Sequence, residues 1–298
     1  PELIRVSGKR GAIDIDLDTG EIYEDIEPDR ESRFSAWVAV TRGCDNFCSY
    51  CIVPCTRGRE RSIPVDHVIR EIEWLHNEGY REVTLLGQNV NSYRDGEVDF
   101  ADLLDRAAET GIGWVRFLTS HPRDLSRRVL EVMADRENVC SHLHLPLQSG
   151  SDRVLHAMNR GYTASWYMEK VDMARELVPD VSITTDLIFG FPGETTADFE
   201  ATLSVMERAR FDFAFLYRYS EREGTPACSF PDPVPEKERI DRLKSAIELQ
   251  NTLTAERNAR RIGSVHTVLV KGPSKDGRGW YGFTDTSVPA MVTGVDGS

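Results

Sequence analysis

The stretch GCDNFCSYCIVPC carries four of the chain's six cysteines: Cys44, Cys48, Cys51 and Cys55. Three residues separate Cys44 from Cys48, and two separate Cys48 from Cys51. A compact loop with those gaps can present three thiolates to one cubane [4Fe-4S] cluster, which leaves one iron open for a substrate or cofactor. Were Cys55 a fourth ligand, every iron would be capped and the protein would carry electrons or hold structure. Pro54 stiffens the chain as it leaves the loop, and TRGRERS then forms a polar exit, so Cys55 reads as a packing or accidental thiol. Zinc is the competing occupant. It generally wants four ligands in paired knuckles, and no second CxxC pair lies elsewhere, although Cys55 or a histidine could complete a set. Cys140 and Cys228 stand alone and read as small buried hydrophobes.

Short β-type runs alternate with helical patterns along the chain and must position that loop. AWVAV, EVTLL, WVRFL, SHLHLPL, VSITTDLIFG and FAFLYRYS read as strands. Between them VDHVIREIEWLHNEG, FADLLDRAAET, LSRRVLEVMA, SDRVLHAMN, TASWYMEKVDMAREL and TTADFEATLSVMERA read as helices. Repeated βα units predict an α/β fold with a parallel sheet, curled into an open or partial barrel, with working residues at the C-terminal strand ends. The cysteines follow the first strand, where such chemistry belongs. Residues 1–34 read as a hairpin and linker, 35–235 as the barrel, 236–262 as a last helix and 263–298 as a small, incomplete all-β module.

Composition narrows the function classes. At 298 residues, 40% hydrophobic, the chain has the make-up of a globular protein. No apolar run reaches the length of a signal peptide core or a membrane span, so a cytoplasmic protein is expected. Clustered cysteines in a reducing compartment favour a metal site over disulfides. The net charge of −13 argues against nonspecific nucleic-acid binding. Two local basic patches remain, Arg57, Arg59 and Arg61 after the cysteines, and Arg257, Arg260 and Arg261 near the end; a solvated face interleaved with acids explains either equally well.

CxxxCxxC after the first strand of a (β/α)6 partial barrel resembles the radical S-adenosylmethionine enzymes. More narrowly, RGCDNFCSYCIVPCTRGRERS, LLGQNVNSY, TSHP, HLPLQSGSDRVLHAMNRGYT, TDLIFGFPGET and YSEREGTPA resemble the methylthiotransferases of that group. LLGQNVNSY and TSHP are similar to the tRNA branch (MiaB type), which adds a methylthio group at C2 of N6-isopentenyladenosine beside the anticodon. The ribosomal-protein branch (RimO type) and the threonylcarbamoyladenosine tRNA branch read differently there and stand as alternatives. An electron-transfer iron–sulfur protein and a zinc-binding RNA module are the non-enzyme alternatives. The terminal β-module resembles the RNA-binding TRAM domain of the family.

The resemblance implies a [4Fe-4S] cluster with one open iron on Cys44, Cys48 and Cys51, which chelates S-adenosyl-L-methionine. It also implies an external low-potential electron donor, the tRNA anticodon loop as partner, no membrane and a monomer. A second [4Fe-4S] cluster belongs to an N-terminal domain with three further cysteines. No cysteine precedes Cys44, so we expect a piece of a longer protein, able to generate the radical and lacking the sulfur source. The family normally has an aromatic residue at Cys55. By the same resemblance Tyr50, Gln88, Asn89, Gln148, Ser149, Asp186 and Ile188 contact the cofactor, with a barrel-rim hydrogen bond as the plain alternative for the polar ones. Arg160 is expected on the cofactor carboxylate or in a helix-end salt bridge. Glu194 is either the opening residue of a helix or a ligand contact. Arg57, Arg59, Arg61 and Arg218 are expected on anticodon-loop phosphates with the target base flipped inward. His121, His142 and His144 are read as packing or rim residues, not metal ligands.

Overall fold

The computed structural model describes residues 32–294. The hairpin expected before residue 32 lies outside the described residues. Six parallel strands form the central layer: β1 Ser35–Ala39, β2 Glu82–Leu86, β3 Trp114–Phe117, β4 His142–His144, β5 Ser182–Phe189 and β6 Phe213–Arg218. β1 pairs β2 and β2 pairs β3; β4 pairs β5 and β5 pairs β6. A parallel bridge from Val115 to Val139 joins the two halves, so the strands follow chain order around a partial barrel. No pairing among the described residues joins β1 to β6, which leaves a lateral gap.

Helices cover the outside: α1 Val53–Arg57, α2 Val65–Asn77, α3 Phe100–Glu109, α4 Arg127–Asp135, α5 Asp152–Ala157, α6 Ala164–Leu177, α7 Thr196–Ala209 and α8 Glu236–Ala259. The longer ones pack through residues three and four apart. On α2 these are Val65, Val68, Ile72 and Leu75, against a core that includes Val38, Val83 and Leu85. Fully burying one such side chain contributes about 1.5–3 kcal/mol. Starts are fixed by short polar side chains: Asp99, Ser126, Ser151, Thr163 and Thr195 each accept a hydrogen bond from a first-turn backbone N–H.

α8 packs through an unusual face. Its buried residues are Arg239, Arg242, Ala246, Gln250 and Leu253, so the helix is bound mainly by polar contacts. Arg242 donates to Glu194 at 2.6 Å, and Gln250 donates to the Phe211 carbonyl at 3.0 Å. Arg257 and Arg261 take Asp212 at 3.0 and 2.5 Å. Two arginines of the second basic patch thus clamp the helix to the barrel.

The C-terminal strands β7 Val268–Pro273, β8 Trp280–Thr284 and β9 Pro289–Val292 form an antiparallel sheet docked on the N-terminal ends of the barrel strands. One side chain carries much of the docking. Arg116 on β3 donates to Glu82 at 2.8 Å, to the Thr284 and Asp285 carbonyls at 2.7 Å each, and to Ser287 at 2.8 Å. Lys271 of β7 closes the group on Glu82 at 2.5 Å.

Candidate active site at the C-terminal rim

The cysteine loop leaves the C-terminal end of β1 and is built from close backbone approaches. Gly43 has φ +74°, and a Cβ there would sit 2.1 Å from the Arg59 carbonyl oxygen, so only glycine fits. The Gln88 side chain accepts from the Gly43 N–H at 2.7 Å, and the Cys44 N–H donates to the Gly58 carbonyl at 3.3 Å. The Cys51 N–H donates to the Cys48 carbonyl at 3.0 Å, which closes a tight turn between the two cysteines. Asn159 donates to the carbonyls of Asn46 and Phe47 at 3.2 and 3.0 Å and ties the loop to the end of α5.

Each thiol has a distinct environment. Cys48 is buried and receives the Arg160 guanidinium at 3.4 Å. Cys44 receives the Asn46 amide at 3.5 Å. Burial pushes the Cys44 and Cys51 thiols up, and Cys44, Cys48 and Cys51 sense one another's charge. Cys55 sits exposed on α1. Among the described residues no three His, Cys, Asp or Glu side chains converge as one metal ion requires. Tetrahedral zinc would bring its thiolates to about 3.8 Å of each other. A cubane places an iron behind each sulfur and spreads the thiolates wider. Three cysteines of one loop, with the Arg160 guanidinium beside Cys48, supply the number of sulfur donors that a four-iron cluster with one open iron needs.

The other residues expected from the sequence divide into two groups. Asp186 is part-exposed inside the barrel, 3.5 Å from His144. Gln148 bridges Leu187 of β5 in parallel, its N–H donating to the Asp186 carbonyl at 2.8 Å and its carbonyl accepting from the Ile188 N–H at 2.9 Å. Asn89, Ser149 and Arg160 are engaged elsewhere. Asn89 donates to Asp124 at 2.6 Å and accepts from the His121 N–H at 3.0 Å, so it shapes the rim. Ser149 is fully buried, its hydroxyl 3.4 Å from Thr202 of α7 and accepting from the Ser151 N–H at 3.2 Å. Arg160 donates to Tyr162 and to the Pro146 carbonyl at 2.8 Å each besides Cys48, which leaves two of its five N–H groups. Tyr50 packs with Ile188 against Val154, Met158, Phe191, Tyr219 and Ala227.

Two further readings are corrected. Glu194 neither opens α7, whose cap is Thr195, nor faces the rim; it is buried, accepting from the Gly190 N–H at 3.0 Å and from Arg242. Cys228 is exposed and donates to the Arg222 carbonyl at 2.8 Å, so it is no buried hydrophobe, whereas Cys140 is. His121 is buried, with burial first and then the nearby arginines Arg160 and Arg123 pushing its pKa down to about 2. Of the expected phosphate contacts, Arg57 is exposed, Arg59 pairs with Asp45 at 2.7 Å, Arg61 lies in a two-residue ladder with Arg42, and Arg218 pairs with Glu236.

The backbone marks rim positions that residue types alone did not. Phe47, Thr119 and Gln148 have φ of +47°, +66° and +77° although none is glycine. All three lie just past the C-terminal ends of strands, and a β-branched residue such as Thr119 pays heavily for that conformation.

Six chain-ordered parallel strands with a cysteine loop at the C-terminal rim define a class. The family model of the Radical SAM superfamily matches residues 38–206, and the chain belongs to that superfamily. Membership implies a four-iron cluster and S-adenosylmethionine. The chain is 51% identical over 260 residues to the tRNA-2-methylthio-N(6)-dimethylallyladenosine synthase of Carboxydothermus hydrogenoformans, covering 86% of this chain and 59% of that protein. It is 50% identical to the synthase of the same name from Bacteroides thetaiotaomicron, covering 93% and 63%. With Chlorobium phaeobacteroides the identity is 48%, covering 96% and 66%. The chain thus spans about 59–66% of the length of these relatives. Among solved structures, coproporphyrinogen III oxidase from Escherichia coli aligns with a TM-score of 0.55 at 17% identity, covering 75% of this chain and 53% of that one. TsrM, a radical S-adenosylmethionine methyltransferase from Kitasatospora setae, gives 0.54 at 17%, covering 65% and 38%. At those identities the likeness shows the fold alone.

Proposed function

We propose that this chain is the radical-generating part of a tRNA methylthiotransferase that acts at C2 of N6-isopentenyladenosine beside the anticodon. The observation that carries the reading is identity of 48–51% across 86–96% of the chain to the synthases named for that product. Cys44, Cys48 and Cys51 would hold the cluster. When bound, the cluster and S-adenosylmethionine supply a carbon radical able to remove an aromatic hydrogen that no acid or base can take. The chain's own residues do the remaining work. Arg160 keeps a cation against the Cys48 sulfur, Gln88 and Asn159 fix the loop, and Gln148, Asp186 and Ile188 line the rim as candidate cofactor contacts. The barrel wall keeps water from the reacting atoms.

The reading is tested with the anaerobically reconstituted protein, dithionite, S-adenosylmethionine and an anticodon stem-loop deuterated at C2 of N6-isopentenyladenosine. Deuterium is expected in the 5′-deoxyadenosine formed. Deuterium-free product from this substrate, with hydrogen taken from ribosomal protein instead, would overturn it.

Arg57 and Arg59 flank the loop on the solvent side and are the candidate phosphate contacts. Each phosphate neutralised on single-stranded RNA adds about 0.7 to the log–log salt slope of binding. Replacing both with glutamine should lower that slope by about 1.4 in a filter-binding salt series. An unchanged slope would remove these two residues from the interface. No helix among the described residues is long and apolar enough to cross a membrane.

A further inference from the structure

Four arginines are buried among the described residues, and three of them face a carboxylate. Arg116 pairs with Glu82, Arg239 with Glu221 and Arg242 with Glu194. Arg160, 4% exposed, forms no such pair among the described residues. Its guanidinium donates to the Tyr162 hydroxyl and the Pro146 carbonyl at 2.8 Å each and to the Cys48 sulfur at 3.4 Å. An arginine does not shed its proton in a protein, and a buried cation met only by neutral groups is unfavourable.

Of those three partners only the Cys48 sulfur can bring an anion near neutral pH. A carbonyl carries no charge, and burial, with Arg160 acting the other way, pushes the Tyr162 phenol up to about 12. The backbone also sets where the cation stands relative to that sulfur, because four successive residues from the end of α5 hold the cysteine loop. The Ala157 carbonyl accepts from the Ser49 hydroxyl at 2.8 Å, and the Met158 carbonyl accepts from the Ser49 N–H at 3.1 Å. Asn159 donates to the carbonyls of Asn46 and Phe47, and Arg160 reaches Cys48. On its other side the guanidinium carbon lies 5.3 Å from the centre of the Tyr162 ring, whose hydroxyl donates to the Leu147 carbonyl at 3.0 Å. The charge thus has a built position, with its counter-ion missing.

We propose that Arg160 is a positioning residue for the cluster, a fixed counter-charge against the Cys48 sulfur that eases one-electron reduction, a role that rests on the reading of Cys44, Cys48 and Cys51 as cluster ligands. Three thiolates give an oxidised cluster net negative charge, and the electron accepted on reduction adds to it. A cation held beside one of those sulfurs therefore favours the reduced state, with or without S-adenosylmethionine.

The test is the reduction potential of the reconstituted 298-residue chain without S-adenosylmethionine, from a mediated redox titration followed by the EPR signal of the reduced cluster. Arg160→Gln should weaken reduction at least tenfold, about 59 mV for one electron, and Arg160→Lys, which keeps the charge, should recover most of that shift. An arginine that only braced Tyr162 and Pro146 would leave the potential where it was. In the native chain labelled with nitrogen-15 arginine, pulsed EPR should show a guanidinium nitrogen coupled to the reduced cluster, a reading that needs no variant to fold. An unchanged potential in Arg160→Gln, an equal shift in Arg160→Lys, a shift that arises only with S-adenosylmethionine present, or no nitrogen-15 coupling would each overturn the counter-charge. A native chain that assembles no four-iron cluster would overturn the ligand reading as well.

Discussion

Alanine at Cys44, Cys48 or Cys51 is expected to abolish the four-iron chromophore and reduce 5′-deoxyadenosine formation to background, whereas alanine at Cys55 leaves both unchanged. The expectation follows from the environments of the four thiols. Three are at least partly buried in one loop, and the Arg160 guanidinium lies 3.4 Å from the Cys48 sulfur. The fourth is exposed on α1, and the hydrogen bonds that fold the loop do not turn it inward. A cubane on three cysteines keeps one iron for a chelating cofactor, so loss of any one sulfur removes both cluster and chemistry. Iron and sulfide per chain, with visible absorption, give the readout. If Cys55→Ala also bleached the protein, the open iron and the radical chemistry built on it would be lost together.

Arg242→Met should destabilise the fold by about 3–5 kcal/mol, lowering the melting temperature by on the order of 10 °C. Arg242 is the counter-ion of Glu194, and the two side chains are 7% and 1% exposed, so removal of the cation strands a buried carboxylate. Glu194→Gln should cost less, because the amide still accepts from Arg242 and from the Gly190 N–H. The double variant should cost less than the sum of the singles. pH separates the cases. Burial, the largest cause, raises the Glu194 pKa above 4.5 despite Gly190 and Arg242. A raised folded-state pKa contributes stability below the unfolded value and loses it as pH climbs through the folded value. The deficit of Glu194→Gln relative to the native protein should therefore shrink as pH rises from about 4 towards neutrality, measured by denaturant titration. A deficit that grows over that range would place Glu194 in a different environment.

The barrel strands and covering helices were legible because their signals are local. EVTLL is β2 residue for residue, and Val65, Val68, Ile72 and Leu75 show their helical spacing within one turn of each other. The cysteine spacing was equally local. What sequence could not show were partners far apart in the chain. Arg160 meets Cys48 across 112 positions and Arg242 meets Glu194 across 48, and neither partnership leaves a local signal. Ser149 was read as a rim donor because it follows a strand, but the left-handed turn at Gln148 sends its hydroxyl towards α7. Thr119 had no signal at all in its residue type; only its backbone conformation marks it.

The polar seat of α8 has a consequence for how the molecule is made. Asp212 and Glu194 leave the ribosome before Arg242, Arg257 and Arg261, the cations that neutralise them. At roughly 5–20 residues per second, the nascent chain spends several seconds with its sixth strand synthesised and its acids uncompensated. The barrel is thus locked only once α8 has followed its sixth strand, and during that interval its open edge is exposed to chaperones.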